Sequence, residues 1–117
     1  MKFICYPKCS TCQKAKKWLE AHNIEYTERH IVEKNPSYDE LKEWHQKSGL
    51  PLKRFFNTSG VLYKEMKLKD KLPEMSEGEQ LQLLSTNGML VKRPLVVNGD
   101  LVLVGFKEAE WDEKLNG

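Results

Sequence analysis

Hydrophobic residues change their spacing along this chain, and each change marks an element. Lys2-Phe3-Ile4-Cys5-Tyr6 is an apolar, β-favouring run and predicts a first strand. From Gln13 to His22 the apolar residues Ala15, Trp18 and Leu19 fall at helical spacing. Ser10 and Gln13 fit a capping box, which starts that helix there. Ile24 to Ile31 reads as a second strand with Ile24, Tyr26 and Glu28 on one face. Ser37 and Glu40 form a further capping box, opening a helix through Leu41, Trp44, His45 and Ser48 that stops at Gly49. A short helical turn after Pro51 carries Phe55 and Phe56, and Asn57-Thr58-Ser59-Gly60 is a turn signal. Ser76 and Glu79 cap a third helix with Leu81, Leu83 and Leu84, closed by Asn87-Gly88. Leu95–Val97 and Leu101–Val104 flank Asn98-Gly99-Asp100, a hairpin signal. Lys107 to Leu115 completes the pattern as a terminal helix.

The order is β-α-β, then helices, then a β-hairpin and a helix. A parallel pair followed by an antiparallel hairpin is the α/β order of the thioredoxin-like, or glutaredoxin-like, fold. The stretch from about 37 to 87 is longer than a minimal glutaredoxin needs, so it is expected to be an inserted helical subdomain. One domain over residues 1–117 is expected, of a size that supports its own core. Hydrophobic residues at 39% and charged residues at 31% fit a folded domain. A net charge of +2 points to no polyanionic partner, and there is neither a recognition-helix motif nor a basic stripe for direct nucleic-acid binding. The clusters Lys14, Lys16, Lys17 and Lys64, Lys67, Lys69, Lys71 read as solvated faces. No stretch approaches the ~20 apolar residues of a membrane span. The first apolar run ends at Pro7-Lys8, which argues against a signal peptide, so a cytoplasmic protein with resting thiols is expected.

The chemistry concentrates in Cys9-Ser10-Thr11-Cys12, at the junction of the first strand and first helix. A thiolate at a helix N-terminus is stabilised by unpaired backbone N–H groups and by the positive end of the helix dipole. Cys9 is therefore the expected nucleophile. Cys12, within the first turn, is the expected resolver that attacks a mixed disulfide at Cys9. Cys5, Cys9 and Cys12 also spell C-x-x-x-C-x-x-C, a spacing used to hold an iron–sulfur cluster. Against that reading, the chain is too small for the partial barrel such cluster enzymes use, and Cys5 lies inside a strand pattern as an ordinary small hydrophobe. Zinc would need a fourth ligand, and His22, His30 and His45 are scattered. No metal and no bound cofactor are expected. Arg93, directly before Pro94, falls near Cys9 if the fold is right, where its guanidinium would stabilise a thiolate or grip an oxyanion.

Two segments carry a family resemblance: Tyr6-Pro7-Lys8-Cys9-Ser10-Thr11-Cys12-Gln13-Lys14-Ala15 and Asn87-Gly88-Met89-Leu90-Val91-Lys92-Arg93-Pro94-Leu95. They resemble the glutaredoxin-type arsenate reductase and Spx family, and the likeness extends over nearly the whole chain. The resemblance implies that Cys9 matches the cysteine that attacks arsenate and Arg93 one of the arginines that hold the oxyanion. It implies a thiol co-substrate such as glutathione, glutaredoxin or thioredoxin, and as partners a protein thiol or a small oxyanion. Asn57 stands where the family carries arginine, and Gly105 where the reductases place another. Cys12 and Gly105 are similar to Spx, whose partner is the α subunit of RNA polymerase. Gly49 falls at the place of a glycine used in that contact, but the segment around Leu50–Phe56 departs from Spx.

Overall fold

Residues 1–115 are described by a computed structural model of the chain; residues 116 and 117 of the expected domain lie outside the described residues. Four strands form one sheet: β1 (Lys2–Cys5), β2 (Thr27–His30), β3 (Leu95–Asn98) and β4 (Leu101–Val104). Their order is β2-β1-β3-β4, with β1 parallel to β2 and antiparallel to β3, and β3 antiparallel to β4. The helix α1 (Ser10–Ala21) connects the parallel pair, as a parallel crossover requires. This is the thioredoxin-like α/β arrangement anticipated from the element order.

Alternate residues of a strand face opposite sides of a sheet, and the two sides carry two separate cores. Phe3, Cys5, Val96 and Leu103 pack with Ala15, Trp18 and Leu19 of α1 and with Trp111 of α6 (Glu108–Leu115). Ile4, Leu95, Val102 and Val104 face the other way, onto Leu41 and Trp44 of α2 (Tyr38–Ser48) and Leu81 and Leu84 of α5 (Glu77–Thr86). Between those helices run a 3-10 turn at Leu52–Phe55 and the short helices α3 (Val61–Glu65) and α4 (Leu68–Lys71). The chain from β2 to β3 thus supplies the second face of the sheet.

The two capping boxes are formed as read. Ser37 and Ser76 accept from the backbone N–H groups of Glu40 and Glu79, and each glutamate accepts from its serine's N–H. Gly49 ends α2 in the left-handed region at φ 67°. Three elements differ from the pattern. β2 is shorter than Ile24–Ile31: Ile24 and Tyr26 precede the strand and pack on the α1 face, while Phe3 pairs with Glu28 across the ladder. The hairpin loop is two residues, because Asn98 pairs with Leu101 and the positive φ of Gly99 makes the turn. Asn87 stops α5 and also opens a further 3-10 turn, its side-chain oxygen accepting from Met89 N–H at 2.9 Å. There Gly88 lies against the carbonyl of Ile31, where no side chain fits.

Candidate functional site

The site grows out of the β1–α1 junction. After Cys5 the chain turns through Pro7-Lys8, closed by Cys9 N–H donating to the Tyr6 carbonyl at 2.9 Å. That turn leaves Cys9 in an extended conformation (φ −83°, ψ 123°), so helical geometry begins only at Ser10. Cys9 is therefore the N-cap, and the expected Ser10–Gln13 capping box does not form. Gln13 instead donates its side-chain amide to the Pro7 carbonyl at 3.1 Å, bracing the turn. The first helical bond runs from Gln13 N–H to the Cys9 carbonyl, and the Cys9 side chain makes no capping bond. The N–H groups of Ser10, Thr11 and Cys12 have no helical acceptor, as at every helix start.

All three cysteines are free thiols in this structure. Cys9 is partly exposed, whereas Cys5 and Cys12 are buried. Cys12 Sγ accepts from Tyr6 N–H at 3.4 Å and packs in one buried cluster with Cys5, with Cys9 at its edge. Its contact with Cys5, together with burial, pushes the Cys12 thiol well above the ordinary thiol range. The same contact lowers Cys5, against the opposing effect of its own burial. A proton shared between two neighbouring sulfurs explains both directions.

Cys9 opens onto a cleft of about 500 Å³. Thr11 lies beside it, Lys92 and Arg93 form one side, and Asn57, Val61, Leu62 and Glu65 form the wall contributed by the helical insertion. That wall is held by backbone bonds from Lys92 N–H to the Phe55 carbonyl and from Asn57 N–H to the Leu90 carbonyl, at 2.7 and 2.8 Å. Arg93 reaches the cleft as anticipated, and its peptide bond to Pro94 is cis. Its guanidinium lies over the Tyr6 ring, 5.2 Å from the centroid, and Nη1 meets the Met89 carbonyl at 3.5 Å. Arg93 Nε is buried without a hydrogen-bond partner among the described residues.

Gly105 does not line this cleft; its carbonyl accepts the indole N–H of Trp111 at 3.1 Å. Its φ is +79°, and a Cβ built there would approach Lys92 Cε at 3.2 Å. The histidines are dispersed: His22 stacks on Trp18, His30 accepts from Val32 and Glu33 N–H, and His45 packs on Phe55. Among the described residues no group of three His, Cys, Asp or Glu side chains is placed to hold a metal ion.

Sequence reasoning assigned no role to Glu65 or the Val61-Leu62 pair, and Lys92 entered it only as an extra charge adjacent to Arg93. A signal for the pair existed: two apolar residues directly follow a turn. Val61 is 72% exposed, more than any other large hydrophobic residue described.

Comparison with known proteins places this geometry among relatives. The model of the ArsC family matches residues 5–114. YusI, an uncharacterized protein of Bacillus subtilis, is 60% identical over 111 residues, covering 95% of this chain and 94% of its own. The regulatory protein MgsR of the same organism is 32% identical over 108 residues, covering 92% and 84%. A crystal structure of an ArsC-family-related protein from Bacteroides fragilis superposes with a TM-score of 0.93 at 65% identity, covering 96% of this chain and 94% of that one.

Proposed function

The chain belongs to the ArsC family, and on that premise we propose that it is a thiol–disulfide redox protein in which Cys9 attacks and Cys12 resolves. The observation that carries this reading is the unprotected start of α1. An accessible thiol occupies the N-cap, and its CxxC partner is buried in the first turn of the same helix.

The Cys9 thiolate attacks one sulfur of a client disulfide, which breaks, and the other client sulfur leaves as a thiolate. Cys12 gives up its proton to solvent and attacks Cys9 Sγ. The mixed disulfide then breaks, the client is released reduced by two electrons, and Cys9–Cys12 is left oxidised. A dithiol or glutathione-type reductant in the cytoplasm restores the pair. Arg93 beside the cleft supplies positive charge to the sulfurs in transit.

The cleft favours a protein disulfide over arsenate as the client. Val61, Leu62 and Met89 give it apolar wall suited to the residues flanking a cysteine. An oxyanion needs several converging cations; Lys92 and Arg93 are present, but Glu65 is negative and Asn57 and Gly105 carry no charge. In a Cys12→Ala variant, mixed disulfides with protein partners should accumulate at Cys9. Arsenate-dependent turnover above that of Cys9→Ser, with no captured protein, would reverse the assignment of client.

A second reading, a redox-sensing regulator, has a specific support in the likeness to the regulatory protein MgsR. The same Cys9–Cys12 switch would then govern docking on the α subunit of RNA polymerase. Gly49, at the expected contact position, has open space around it. The test is binding to the isolated C-terminal domain of that polymerase component, which should differ between oxidised and reduced protein. No binding in either state rejects this reading.

A further inference from the structure

We propose that Cys5 is a third redox residue, and that the disulfide formed at Cys9–Cys12 passes inward to Cys5–Cys12. This rests on the thiol–disulfide reading above and extends it. Three observations carry it. Cys5 at the end of β1 and Cys12 in the first turn of α1 belong to one packed cluster, with Cys9 at its edge. Tyr6 N–H donates to Cys12 Sγ at 3.4 Å, which fixes that sulfur beside the turn joining Cys5 to Cys9. Cys5 and Cys12, but not Cys9, also line a second cleft of about 190 Å³, bounded by Pro7, Gln13, Lys16 and Glu28.

The three cysteines therefore lie between two clefts. Cys9 faces the cleft assigned to the client; Cys5 and Cys12 face the other. Lys16 and Glu28 pair there at 3.0 Å with side chains 45% and 39% exposed, and an exposed pair of that kind opens easily.

The step is an exchange with no net oxidation. Cys5 loses its proton to water in the second cleft and attacks Cys12 Sγ. The Cys9–Cys12 bond breaks, the Cys5–Cys12 bond forms, and Cys9 leaves as a thiolate ready for another client. An external dithiol attacking from the second cleft then reduces Cys5–Cys12. Client and reductant thus meet opposite ends of the relay.

The sequence supplies its own assay. Trypsin cuts after Lys2, Lys8 and Lys14, placing Cys5 in the peptide of residues 3–8 and Cys9 with Cys12 in that of residues 9–14. Full-length protein is oxidised with stoichiometric diamide, quenched with N-ethylmaleimide over a time course, digested and mapped by mass spectrometry. The expected result is an early disulfide inside the 9–14 peptide. It is followed by a 3–8/9–14 cross-link that carries the maleimide on Cys9. Cys5→Ala should lose the cross-link entirely and keep the internal disulfide. Cys9→Ser, which needs no tolerance at Cys5, should form the cross-link directly. An internal disulfide with Cys5 always recovered as the free thiol overturns the relay and leaves the proposed function standing. A Cys5–Cys9 link overturns the relay order. No disulfide of any kind removes the thiol–disulfide reading itself.

Discussion

The long helices on the two sides of the sheet, α1 on one and α2 and α5 on the other, begin in different ways. On the insertion side, α2 and α5 each start with a serine and a glutamate that satisfy one another's backbone N–H groups. Arg29 of β2 adds a two-pronged bond to the Glu40 carboxylate of the first box, at 2.7 and 2.9 Å. On the other side, α1 starts at a cysteine whose side chain makes no capping bond, and its first turn contains no acidic residue. A free helix start costs stability that a serine there would recover. The chain secures the starts of the two long helices α2 and α5 on the second face, leaves the short α3 and α4 uncapped, and leaves the long α1 open where a nucleophile stands.

Cys9→Ser breaks that contrast most sharply. Turnover of a reporter disulfide should fall to background, while the fold gains about 0.5–1 kcal/mol because serine is a good N-cap. Activity and thermal midpoint measured on the same sample check both parts; a fall in both would mean that Cys9 is structural. The next largest effect is on the insertion side. Gly88→Ala puts a Cβ into the Ile31 carbonyl, 2.7 Å from its carbon, and should cost ~3 kcal/mol in urea unfolding.

Glu40→Gln tests the ion pair. Arg29, and then Ser37, hold the Glu40 carboxyl down at about 2 from the ordinary 4.5. A depressed carboxyl stabilises the fold above its unfolded value and loses that contribution as pH falls through its folded value. The variant should therefore be weaker at pH 7 by on the order of 2 kcal/mol, after allowance for partial exposure, with the gap closing between about pH 4.5 and 2. Denaturant midpoints against pH read this directly; a gap constant over that range refutes it. Ser76→Ala, which undoes the other box, should cost ~1 kcal/mol and leave disulfide turnover unchanged.

The same two boxes show what a sequence reveals. Ser37–Glu40 and Ser76–Glu79 were legible because a capping box is local: both partners and the helix they start lie within four positions. Ser10–Gln13 has the same spacing and failed. Its outcome depends on the Tyr6–Cys9 turn, which sets the helix start one residue earlier than the box requires. Of the residues that spacing and family likeness single out, Cys9 and Arg93 line one cleft, while Cys12 is buried and lines the other. The far wall was only partly readable: an apolar pair after a turn marked Val61, but its place at the site depends on backbone bonds joining Phe55 to Lys92 and Asn57 to Leu90. The contact of Cys5 with Cys12 was not readable, since it depends on how a strand face meets a helix turn rather than on separation in the chain.

Gly105 carries a consequence for engineering and for descent. A designer wishing to turn this protein toward anion chemistry would begin by installing a guanidinium at that position. The newcomer would inherit a left-handed backbone that glycine adopts most freely and would press on the flexible end of Lys92. A guanidinium at this position therefore carries a main-chain cost of about 1–3 kcal/mol that glycine avoids, so the bend after β4 weighs against conversion before any anion is bound.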